Sequence, residues 1–101
     1  MGDFNAPIHT VSLGNSLHQK EILLLSDHDL ILDALNSSFT PEFIVDLTVL
    51  MTELTSEDHS RILVALPEQY ANLPDDWIVV PSLREAEDVI EMERIERDLG
   101  F

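Results

Sequence analysis

Three short apolar runs constrain the fold of this chain most. They are residues 30–35 (Leu-Ile-Leu-Asp-Ala-Leu), 61–66 (Arg-Ile-Leu-Val-Ala-Leu) and 77–80 (Trp-Ile-Val-Val). Turn formers bound each of them: Asn36-Ser37-Ser38, Pro67 and Pro81. Runs this short and this continuous are typical of strands covered on both faces. An edge strand is expected at residues 8–13, ahead of Gly14. Residues 16–26 read two ways. Leu17, Glu21, Leu24 and Leu25, with the helix formers Gln19 and Lys20, suit a helix, and residues 21–25 would also suit a strand.

Two helices separate and follow these runs. Thr40 is a good N-cap, and Pro41 at the first helical position forfeits no needed donor. Phe43, Ile44, Leu47, Leu50, Met51 and Leu54 then recur on one helical face. The β-branched Ile44, Val45, Thr48 and Val49 would suit a strand, but cap and periodicity favour a helix. The last helix is the clearest element. Ser82 stands three before Glu85, a capping box, and no Gly or Pro interrupts residues 83–99 before Gly100 stops the helix. Glu91 with Arg94 and Glu93 with Arg97 are spaced to pair along it. Strand and helix alternating in this way predict a small α/β domain over residues 7–101. About four strands in a mixed sheet are expected, with helices packed on it, a flexible segment at 1–6 and a C-terminal helix at 82–100.

Composition narrows the function classes. The 101 residues hold 20 acids against five Lys and Arg, a formal net charge of −15. Such a chain is repelled by phosphate backbones and anionic membranes, so neither nucleic acid nor membrane is an expected partner. A basic protein surface is favoured instead. With no cysteine there is no disulfide and no thiolate metal site. The start, Met1-Gly2-Asp3-Phe4-Asn5-Ala6, has neither the basic region nor the apolar core of a signal peptide. A cytoplasmic protein is therefore expected.

Residues 80–101, Val-Pro-Ser-Leu-Arg-Glu-Ala-Glu-Asp-Val-Ile-Glu-Met-Glu-Arg-Ile-Glu-Arg-Asp-Leu-Gly-Phe, resemble the tail of short STAS-like proteins of Bacteroidetes. STAS domains include the anti-sigma-factor antagonists. Upstream, residues 30–35 resemble the strand before the STAS switch loop, and Thr40 onward the helix after it, so the resemblance spans 29–101. It implies a non-enzymatic, regulatory, protein-binding domain. Genes of such proteins are typically found beside that for ribonuclease Z. The resemblance thus offers ribonuclease Z or a sigma-pathway protein as partner, or an accessory role to ribonuclease Z without nuclease activity. Regulated STAS domains carry Asp-Ser-Ser-Gly where this chain has Thr40-Pro41-Glu42-Phe43. The departure implies that the phosphorylatable switch is lacking. Ser37, Ser38 and Thr40 stand in no recognisable kinase pattern, and Glu42 suits a first helical turn simply as an acid.

Local chemistry is sparse. Asp27-His28-Asp29 is the best metal-like cluster and supports an alternative, a small metal-dependent enzyme or metal-binding protein. Successive side chains of an extended segment point to alternate sides, which works against convergence. Asp75-Asp76 fits a turn, and His9, His18 and His59 sit in no motif. There is no Gly-rich phosphate loop, nor the His-x-His-x-Asp-His pattern of ribonuclease Z. No catalytic residue, metal ligand or cofactor site is assigned. The sharper clue lies in the last helix. Leu83, Ala86 and Ile90 share one face, while Met92, Ile95 and Leu99 fall on nearly the opposite one. Either the helix bends near Glu91 or the tail wraps an edge, or Met92, Ile95, Leu99 and Phe101 dock on a partner or a second copy, with Arg94, Arg97, Glu93 and Glu96 as a rim. Thr40 and Glu42 complete the expected contact surface.

Overall fold

A computed structural model describes residues 7–100. The segment 1–6 and Phe101 lie outside the described residues. Four strands, β1 (Ile8–Ser12), β2 (Asp29–Asp33), β3 (Arg61–Val64) and β4 (Ile78–Val80), form one sheet in the order β1-β2-β3-β4. The helices are α1 (Gln19–Leu23), α2 (Pro41–Leu54) and α3 (Leu83–Asp98). A 3₁₀ segment, Pro67–Asn72, lies between β3 and β4. All three strand pairs are parallel, with Leu30 opposite Arg61 and Ile62 opposite Ile78.

The expected mixed sheet is thus corrected to a fully parallel one. The reason lies in the connections. None is a tight hairpin turn; each is a crossover of about a dozen residues or more, the length parallel neighbours need. Two of the runs foreseen as buried strands form the buried inner strands β2 and β3. The third, β4, is the outer edge and holds no buried residue, because only β3 flanks it, and β1 takes the foreseen edge on the other side. Residues 16–26 resolve in favour of a short helix followed by turns.

Strand order then dictates layering. Right-handed crossovers that all step in one direction deliver every connection to the same face of the sheet. Ile22 of α1 and Phe43, Leu47, Leu50, Met51 and Leu54 of α2 accordingly pack together with Leu30, Leu32 and Leu63. The opposite face receives no crossover, and α3 covers it. Ala86 and Ile90 pack there on Ile31, Ile62 and Val64. The side-chain period of two sorts β2 and β3 between these clusters. This explains why the apolar runs are continuous and not alternating.

Both foreseen caps are present. Thr40 Oγ1 accepts from the Phe43 amide at 3.1 Å. Ser82 Oγ accepts from the Glu85 amide at 3.2 Å and donates to its carboxylate at 3.0 Å, so the reciprocal bond closes on the hydroxyl. Gly100 follows α3 at φ +81°, a left-handed conformation that suits glycine at a helix end. Along α2, Thr48 and Thr52 donate back to the carbonyls four residues earlier, which satisfies exposed hydroxyls on a β-branched outer face.

Candidate functional site

Pleat parity carries charged residues onto both faces at the leading ends of β2 and β3. Asp29 shares parity with Ile31 and therefore points towards α3. Ser60 shares parity with Ile62 and points the same way. Arg61 shares parity with Leu63 and points towards α2. On α3, Ala86, Ile90 and Arg94 are spaced four apart, so Arg94 lies on the face that meets the sheet. The helix brings this guanidinium down on Asp29.

The result is a buried ionic knot. Asp29 is 3% exposed and Arg94 4% exposed. Arg94 Nε donates to Asp29 Oδ2 at 2.7 Å, and the Ser60 amide donates to Oδ1 at 2.7 Å. Arg97 lies 3.4 Å from Asp29 Oδ2 and donates to Ser60 Oγ at 3.1 Å. His59 Nδ1 stands 3.7 Å from Asp29 Oδ1. On the other side of the sheet, Arg61 donates through Nε to the Leu54 carbonyl at 2.8 Å, and through its terminal nitrogens to the carbonyls of Ser26, His28 and Ser60. It ties the end of α2 to the turn before β2.

The electrostatics follow from these contacts. Burial pushes the Asp29 carboxyl up, but the Ser60 amide and the charges of Arg94 and Arg97 together outweigh it and hold the group below its ordinary value of 3.8. A carboxyl depressed in the folded state binds its proton more readily when unfolded. Its contribution is therefore present above the unfolded value and lost as pH falls through the folded one. Stability measured by urea unfolding across a pH series should accordingly fall more steeply below pH 3.8 in the wild type than in Asp29→Asn. Parallel curves would show that Asp29 is not the group responsible.

This geometry rearranges several expectations. Arg94 and Arg97 both turn to Asp29, 65 and 68 residues away in sequence. Arg94 is buried there and so is no rim residue, while Arg97 stays part-exposed at the cleft it lines with Glu93 and Glu96. Asp27, His28 and Asp29 do not converge on one point. Asp29 is committed to the arginines, while Asp27 is exposed and 3.5 Å from His28 Nε2. The His28 ring packs on His9, with centroids 4.5 Å apart. Among the described residues no three His, Asp or Glu side chains are grouped to hold a metal ion.

Thr40 and Glu42 are exposed at the trailing end of the sheet, beside a cleft shared with Asn15, Ser16 and Asp46. The Thr40 hydroxyl is occupied as the α2 cap. Strand order here never reverses, so this end lacks the crevice that doubly wound sheets open at a reversal. A larger cleft of 580 Å³ lies at the opposite end, where Glu57, Asp76, Trp77, Glu93 and Glu96 surround the openings of β3 and β4.

The helix α3 runs unbroken from Leu83 to Asp98 and presents its second apolar row to solvent. Met92 is 63%, Ile95 47% and Leu99 63% exposed. Neither a break nor a wrapped tail hides them. The one foreseen member that cannot be placed is Phe101, outside the described residues. The knot itself went unforeseen. An arginine in phase with Ala86 and Ile90, and an aspartate heading an apolar strand, were the signals that could have revealed it.

No protein family, no curated protein and no solved structure matches the chain.

Proposed function

We propose that this chain is a non-enzymatic, STAS-like regulatory domain without a phosphorylatable switch, and that it acts by docking another protein on the outer face of α3. One observation carries the reading. Met92, Ile95 and Leu99 form an exposed apolar row on a helix whose inner face is fixed by Ala86, Ile90 and Arg94. Single exposed apolar side chains are ordinary, but three along consecutive turns form a patch of the kind that marks contact surfaces. Methionine in the row adapts to varied partners.

The ionic knot supports the non-enzymatic side of the proposal. Asp29 is the one buried carboxylate among the described residues, and its pKa is driven away from neutrality. General acid–base work at neutral pH asks for the opposite shift. Thr40-Pro41-Glu42-Phe43 at the head of α2 offers no serine to a kinase. No helix among the described residues is long and apolar enough to cross a membrane.

A photo-crosslinking side chain at position 95 should give a discrete heavier adduct in the native cells, and the same group at position 53 on α2 should not. Met92→Asp with Ile95→Asp should eliminate the adduct formed from position 99. Because both sites are exposed, the double variant should stay within about 0.5 kcal/mol of wild-type stability per substitution. An unfolded double variant would show that these residues belong to a core, and absence of any adduct would remove the docking face.

A further inference from the structure

The outer row of α3 adjoins the large cleft at the leading end of the sheet. Glu93 and Glu96 line that cleft and are chain neighbours of Met92 and Ile95. At 3.6 residues per turn, Glu96 lies about 40° of arc from Met92 and about 60° from Leu99. Glu57, Asp76 and the half-buried Trp77 line the same cleft. Arg61 and Arg97 also line it, but both guanidinium groups are engaged by carbonyls, by Ser60 and by Asp29. On the other side of the apolar row stands the exposed Glu91, and the exposed Asp88 continues the row itself one turn before Met92.

Charge decides what this surface can receive. The cleft holds four carboxylates, Glu57, Asp76, Glu93 and Glu96, against the two part-exposed guanidinium groups of Arg61 and Arg97, so it keeps the acidic sign of a molecule whose net charge is −15. A second copy would present the same α3 face, on which the exposed acids Asp88, Glu91 and Glu96 outnumber the one exposed cation, Arg84, so like charge opposes the pairing of two copies. A segment with apolar side chains and flanking cations meets the same surface with complementary charge.

We propose that the occupant is a basic amphipathic segment of another protein. Its apolar side chains sit on Met92, Ile95 and Leu99, and one lysine or arginine side chain enters the cleft that Glu57, Asp76, Glu93 and Glu96 line. There the aliphatic stem lies along Trp77, and the cation gains the surrounding carboxylates and the face of the indole. This inference rests on the reading of α3 as a docking face and adds the chemistry of what docks.

The test uses the full chain and a synthetic helical peptide of about 14 residues, leucine along one face and lysine along the other. Its counterparts replace lysine with glutamine, or leucine with serine. Calorimetry should show saturable one-to-one binding of the leucine–lysine peptide, weakened about tenfold or more in both counterparts. Glu93→Gln with Glu96→Gln should weaken it by a similar factor. Glu21→Gln with Asp46→Asn, which removes the same charge far from the cleft, should leave it unchanged.

Equal weakening by the two charge-removing pairs would mean that bulk charge alone attracts the peptide, and the cleft assignment fails while the docking face stands. Unchanged binding in a folded Met92→Ser, Ile95→Ser variant would remove the docking face itself. Self-association of the wild type through the row, competing with the peptide, would make a second copy the occupant and overturn the inference.

Discussion

Asp29→Ala should destabilise the protein by about 3–5 kcal/mol, the usual cost of removing one partner from a buried ion pair. The substitution leaves Arg94 charged and 4% exposed beneath α3, and removes the acceptor of the Ser60 amide. Since domains of this size are stable by about 5–15 kcal/mol, much of the population should lose α3 packing or unfold near physiological temperature. Urea unfolding followed by circular dichroism measures the effect. Asp29→Leu combined with Arg94→Met and Arg97→Met should recover most of the loss, because the main penalty lies in burying guanidinium charge without the Asp29 carboxylate and not in the absent attraction. If the triple variant is as unstable as Asp29→Ala, the knot supplies more than charge cancellation.

The second large effect concerns the opposite face of the sheet. Leu47→Ala should cost about 2–5 kcal/mol, the range for truncating a fully buried leucine. Leu47 has no exposure and sits at the middle of α2, among Phe43, Leu50, Leu32 and Leu63. The layers on either side of the sheet share no side chains, because parity assigns each strand residue to one of them. Leu47→Ala and Ile90→Ala should therefore add to within about 0.5 kcal/mol in the double variant. A large coupling between them, measured in the same unfolding experiment, would mean that the sheet itself deforms and transmits the cavity.

Sequence reasoning succeeded where the signal is local. Ser82 with Glu85, Thr40 with Pro41, and the spacing of Phe43, Leu47, Leu50 and Leu54 each involve neighbours within a turn or two, and all return in the structure. The apolar runs at 30–35 and 61–66 announce buried strands because both of their faces are covered, whereas the run at 77–80 is apolar too and becomes an edge strand with no buried residue. Nothing in a four-residue run such as Arg-Ile-Leu-Val, however, specifies the direction of its neighbour. Parallel pairing came from connection lengths and layer geometry. Residues 67–72 carry no apolar period, and the 3₁₀ segment there had no signature beyond Pro67.

The candidate site was half legible. The helical wheel separated Met92, Ile95 and Leu99 from Leu83, Ala86 and Ile90. The structure leaves the first set exposed and buries Ala86 and Ile90, but Leu83, at the first turn, is exposed. The partners of Arg94 and Arg97 misled local reasoning, since Glu91 and Glu93 stand at favourable spacing on the same helix. A carboxylate 65 residues away competes better because it is desolvated and aligned, and a sequence window cannot contain it.

A sheet wound in one direction has a consequence for how the chain is made. Every strand and crossover precedes α3, so one side of the sheet is complete while Ile31, Ile62 and Val64 still face water. During synthesis that bare side, with the Asp29 carboxylate at its margin, waits for the last helix to clear the ribosome. A half-made molecule of this protein is a one-sided, sticky sheet. The interval before α3 arrives is when mispairing with other nascent chains is most favoured.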